Sequence, residues 1–182
     1  MHAQADRFTS LSTLIEGLRR DGLLSDEDYH AGLSIRRNAD EAELHPLTLI
    51  ARQGFADQRS KKLLSEDVLT QWLADQHKLD YYHIDPLEVD VAAITEIISH
   101  AVAKPQRIFP VPVSADEVIA ACADPEVSGC VTTIELVIRR QVPRALSPPS
   151  NIARHRVGVA QLAKSVKRPS VPTDPTGDDT NT

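Results

Sequence analysis

The sequence is poor in aromatic residues: three Phe, three Tyr and one Trp among 182 residues. Any core must therefore be aliphatic, built from Leu, Ile, Val and Ala. There are only two cysteines, Cys122 and Cys130. A single pair makes no disulfide framework, and both read as reduced thiols in or near the core. No apolar run approaches the ~20 residues that a membrane-spanning helix needs. The opening residues, Met-His-Ala-Gln-Ala-Asp-Arg, lack the apolar stretch of a secretory signal. These features predict a cytoplasmic protein with no direct membrane insertion. The net charge of −6 argues against nucleic-acid binding by the chain as a whole. Acids are missing altogether between Leu136 and Thr173, where Arg139, Arg140, Arg144, Arg154, Arg156, Lys164, Lys167 and Arg168 gather. No aromatic residue follows Phe109 to stack on bases, so this basic segment reads as a solvated helix face or a docking surface for an acidic partner.

The chain is organised around Leu63–Ser99. Ser65 suits an N-cap, with its hydroxyl accepting from the Val68 N–H, and Glu66 and Asp67 favour the positive helix end. Val68, Leu69, Trp72, Leu73 and Gln76 then share one helical face. Leu79–Ile84 reads as a short aromatic strand, stopped by Asp85-Pro86. Asp90 would cap a further helix with Val91, Ile94, Ile97 and Ile98 on its apolar face.

Upstream, Met1–Thr9 reads as loose. Ser10 caps a helix bearing Leu11, Leu14, Ile15 and Leu18, and Gly22 closes it in a left-handed conformation. Ser25 opens a second helix. Pro46 suits the first position of a third, which Gly54 closes. The helix–Gly–Ser-cap pattern occurs twice, at Ser25 and at Ser65, which indicates a degenerate internal duplication. Downstream, Arg107–Val113 is a strand that tolerates Pro110 and Pro112 only at a sheet edge. A hairpin turn at Ser114-Ala115-Asp116 leads to an apolar strand, Glu117–Ala123. Asp124-Pro125 would cap a helix marked by Val127, Val131, Ile134 and Ile138. A third strand, Gln141–Leu146, precedes a break at Ser147–Ser150 and a basic helix over Asn151–Lys167. The fold class is α+β: an all-helical unit over 1–77, then over 78–167 a small mixed or antiparallel sheet with helices packed on it. Residues 168–182, rich in Pro, Thr, Asp and Gly, read as linker or disordered tail.

The ordered series Gln76, Asp85-Pro86-Leu87, Ile108-Phe109-Pro110-Val111 and Ala123-Asp124-Pro125 resembles the N-terminal region of bacterial secretion and type IV pilus assembly ATPases, the type II secretion branch in particular. The resemblance runs from about Leu11 to about Lys167. It implies a non-catalytic protein-interaction module that tethers the ATPase motor domain to the cytoplasmic domain of an inner-membrane platform protein. Such a module would be cytoplasmic and peripheral to that membrane. The motor lies downstream in the family, and this chain ends where the linker to it would stand, so a truncated or separately made N-terminal module is expected. The resemblance places the docking contact in the helical unit. Leu11, Leu14, Ile15 and Leu18 are the candidate partner-binding residues, on the expectation that a thin local core leaves them partly uncovered. Arg139, Arg140, Arg154, Arg156 and Lys164 form a candidate basic docking face, for the motor domain or an acidic partner.

Some members of this family bind cyclic di-GMP through a repeated Arg-Leu-Gly motif. Here Thr13-Leu14-Ile15 and His45-Pro46-Leu47 stand at those positions, so both arginines and both glycines are missing. A degenerate cyclic di-GMP-binding module is the alternative reading. No enzyme constellation is visible. Gly158–Ser165 carries Lys164-Ser165 but has Ala163 where a phosphate loop needs its second glycine, and it lies within a helical pattern. His77, His83 and His100 lack metal-ligand spacing, and no cofactor is implied.

Overall fold

The computed structural model describes residues 8–85, 87, 92–94, 108–114, 117–127 and 131–166, with the side chains at 133 and 159–166 excepted. Expectations for Val91, Ile97, Ile98, Cys130, the side chain of Lys164 and the tail lie outside the described residues.

Four helices come first: α1 (Leu11–Arg20), α2 (Asp26–Leu33), α3 (Pro46–Arg52) and α4 (Glu66–His77). Their caps follow the sequence. Ser10 accepts from the Thr13 N–H, Ser25 from Asp28 and Ser65 from Val68. Gly22 and Gly54 both take φ +72°, a left-handed conformation that suits glycine. Both halves of the proposed duplication thus have the same parts in the same order.

The sheet follows: β1 (Asp80–Tyr81), β2 (Ile108–Pro112), β3 (Val118–Cys122) and β4 (Arg144–Leu146). The strand order is β1-β4-β3-β2. β4 runs parallel to both β1 and β3, and β2 pairs antiparallel with β3. The sheet is mixed, and the fold is α+β. β2 lies at an edge, as its prolines require. The Val113 N–H donates to the Glu117 carbonyl, so by antiparallel alternation Val111 and Phe109 occupy hydrogen-bonded pairs. Pro110 and Pro112 then fall where a backbone N–H would point away from β3.

Helix α5 (Val131–Ile138) joins β3 to β4, and α6 (Pro149–Val166) follows β4. Several limits differ from expectation. β1 pairs at only two residues, because its partner β4 runs into Ser147-Pro148-Pro149. β4 likewise begins at Arg144, not Gln141. α6 starts two residues early, since Pro149 fits the first turn of a helix. Asp124 does not open a helix; residues 123–126 form bends and a turn, with the Val127 N–H donating to the Asp124 carbonyl at 3.1 Å. Val68 is exposed, and α4 turns Leu69, Thr70, Leu73 and Ala74 inward. Thr70 is tolerated there because its hydroxyl donates back to the Glu66 carbonyl at 2.7 Å.

The sheet separates two apolar clusters. On one face Ile108, Ala120, Cys122 and Leu146 meet Leu14, Ile15, Leu18, Leu47, Ile50, Leu69, Leu73 and Ile134. The larger core is therefore shared between the helical half and the sheet. On the other face Phe109, Val111, Ala121 and Ala123 meet Ile84, Ile94 and Ile152.

Candidate functional site

The carboxyl ends of β1, β3 and β4 reach one edge of the sheet, near the first turns of α3, α4 and α6. Open α/β sheets bind ligands at such edges. Here the polar groups bind one another instead.

Asp124, just past β3, is fully buried. Its Oδ2 accepts from the Thr9 N–H at 2.8 Å and from His45 Nε2 at 2.9 Å. Its Oδ1 accepts from the Thr9 hydroxyl at 3.0 Å and from the Glu126 N–H at 2.9 Å. A carboxylate offers about four acceptor sites, so this one is saturated. Burial alone pushes the Asp124 carboxyl up. The His45 bond, the Glu126 N–H and the Thr9 N–H together outweigh it and hold the group below the usual carboxylate range. His45 is equally committed. Its Nδ1 accepts from the Leu47 N–H at 3.1 Å as the cap of α3, which leaves Nε2 to carry the proton and donate. The Phe8 ring lies edge-on to the imidazole, with centroids 4.4 Å apart. Residues 8 and 9, expected to be loose, are thus fixed by this junction.

Glu66, in the first turn of α4, forms a second junction. It accepts from the Thr48 hydroxyl of α3, and from the Ser150 N–H at 3.2 Å and the Ser150 hydroxyl of α6. Beside it, Asp67 accepts from the Tyr81 hydroxyl at 2.7 Å and from His83 Nδ1 at 3.1 Å. Burial, and then the Asp67 carboxylate, push the Tyr81 phenol well up, so it stays a donor. A further polar group ties α1 to α4. The Trp72 indole donates to Asp21 at 2.8 Å, and Arg20 to Gln76 at 3.2 Å. The Trp72 bond, helped against desolvation by Arg20, holds the Asp21 carboxyl below its ordinary range.

The candidate partner-binding residues do not form a surface. Leu14, Ile15 and Leu18 are almost wholly buried, and Leu11 packs half-buried against the same cluster. The expectation of a thin local core fails because α2, α3 and α4 close over α1: Gly32 of α2 lies against the Ile15 side chain. The basic candidates are at the surface. Arg139 and Arg140 are exposed just past α5, and Arg154 is exposed and Arg156 half-buried on α6. Gly158 through Ser165 lie inside α6, so the Lys164-Ser165 string does not follow a strand as a phosphate loop would. Thr13 is exposed on α1, whereas His45 is buried with both ring nitrogens engaged.

Sequence reading missed Asp124, His45, Thr9 and Glu66 as junction residues. His45 and Asp124 are 79 positions apart, and Thr9 and Asp124 115, beyond any periodicity. A local signal existed: His45 and Asp124 are each a polar residue directly before proline, at the start of α3 and just past β3.

A family model of the MshEN domain matches residues 77–165. The chain is 29% identical over 154 residues to the type IV pilus assembly ATPase TfpB of Acinetobacter baylyi, with 84% of this chain and 26% of the relative covered. It thus spans about a quarter of the length of that curated relative. Among solved structures, that of MshE with cdg covers 84% of this chain and 98% of its own, at 17% identity and a TM-score of 0.48. Among the described residues, no helix is long and apolar enough to cross a membrane. Over residues 77–165, just under half of its length, the chain is similar to the MshEN domain.

Proposed function

We propose that this chain is a non-catalytic protein-interaction module that holds a secretion or pilus ATPase motor to the cytoplasmic domain of an inner-membrane platform protein. It works in the cytoplasm, peripheral to the inner membrane. The observation that carries this reading is the saturation of Asp124. A carboxylate with all its acceptor sites filled by its own chain has none left for a metal or a ligand. Glu66 likewise joins α3, α4 and α6. These groups hold a shape and do not transform a substrate. The likeness to the MshEN domain and to TfpB supplies the setting.

Because Leu14, Ile15 and Leu18 are buried, docking falls to the basic surface just past α5 and along α6. α5 leaves Leu136 at 73% exposure next to Arg139 and Arg140, and α6 leaves Val157 at 58% beside Arg154 and Arg156. Apolar residues set among like charges suit an acidic partner, with charge setting orientation and encounter rate. A cyclic di-GMP reading gains nothing here, since His45 is not free to meet an anion.

The test is a pull-down with the platform protein's cytoplasmic domain. Arg139→Glu with Arg154→Glu weakens capture at least tenfold while circular dichroism stays unchanged. Capture equal to wild type would refute this face.

A further inference from the structure

Helix α6 docks on the sheet in an unusual way. Its buried described residues past the first proline are Asn151, Ile152 and His155. Asn151 and His155 lie four residues apart on one face of α6, and Ser147 stands in the connector just before the helix. Each carries a buried polar atom without a partner: Ser147 Oγ, Asn151 Oδ1 and His155 Nε2. His155 Nδ1 donates to the Asn151 carbonyl at 2.8 Å, so Nε2 presents a lone pair to the interior. Among the described residues of α6, Ile152 is the one in the second apolar cluster.

Among the described residues, the hydrogen bonds from α6 to other elements all come from its first turn. Ser150 donates its N–H and its hydroxyl to Glu66. The Asn151 amide donates to the Ile84 carbonyl at 3.2 Å and to His83 Nε2 at 3.3 Å. His83 Nδ1 in turn donates to Asp67. Glu66 and Asp67 are both in the first turn of α4.

We propose that α6 is a detachable element, latched at its N-terminus by α4 and under-satisfied on its sheet-facing side. It leaves the sheet as a unit while the core of α1, α3 and α4 stays closed. Opening returns three unmet polar atoms to water, which offsets much of the apolar burial that is lost. The Glu66–Ser150 latch sets the open fraction. A module with such a helix can exchange an internal contact for an external one without unfolding.

Native-state hydrogen exchange of the full chain in low denaturant tests this. Amides 153–158 should exchange through an opening at least about tenfold more populated than the one releasing amides 70–74. Ser150→Ala, which removes one latch donor, should raise exchange at 153–158 about three- to tenfold and leave 70–74 unchanged. Ser147→Ala and His155→Leu each remove an unmet atom and should lower it about tenfold. Equal protection of the two segments would overturn the proposal, as would variants that shift both equally. So would a crystal structure with ordered water bonded to two or more of the three polar atoms.

Discussion

The two faces of the sheet are covered in opposite ways. On one, four helices meet it through aliphatic side chains such as Leu14, Leu18, Leu69 and Ile134. On the other, among the described residues, α6 brings Ile152 together with two unmet polar atoms, and a third, Ser147 Oγ, lies just before the helix. Both sides use hydrogen-bonded carboxylates, but to different effect. Asp124 is sealed and saturated within the junction with His45 and Thr9, whereas Glu66 reaches Ser150 at the surface. Apolar burial scales with area and holds the helical side shut, while a polar latch in contact with solvent is worth far less. Stability belongs to the first face and adaptability to the second.

The largest expected effect lies in the helical half. Leu18→Ala should cost about 4 kcal/mol in urea unfolding, since the site is fully enclosed. Next, Asp124→Ala leaves the buried His45 donor and the half-buried Thr9 donors unmet, at a cost of about 3 kcal/mol at neutral pH. The folded carboxyl titrates below its unfolded value, so its contribution is complete above the ordinary aspartate range, near pH 4, and is lost as pH falls through the folded value. The gap between wild type and the variant should therefore shrink in acid. On the weaker face, Ile152→Ala should cost about 2 kcal/mol. A cost matching that of Leu18→Ala would erase the contrast between the faces. Gly17→Ala places a Cβ 2.9 Å from the Trp72 ring and should cost about 1–2 kcal/mol, with a shift in Trp fluorescence. Finally, Lys78 ends α4 at φ +53°, so Lys78→Gly should add about 1 kcal/mol.

The sequence was legible wherever a local rule decides. Ser10, Ser25 and Ser65 cap as their spacing requires, and Pro110 and Pro112 required an edge that β2 occupies. It was not legible where distant residues decide. Leu14, Ile15 and Leu18 looked available for docking because nothing local shows that α2, α3 and α4 close over them. Asp124 looked like a helix cap because Asp-Pro often is one, and its real partners lie at positions 9 and 45. β1 and β4 looked longer because strand length depends on the partner strand as well as on propensity.

The central claim is that these residues hold a surface for another protein. Isothermal titration of the platform protein's cytoplasmic domain into the purified chain, without nucleotide, tests it most directly. Saturable one-to-one binding that weakens as salt rises is the expected result. No heat of binding at the highest soluble concentrations, with the chain folded by circular dichroism, would contradict it.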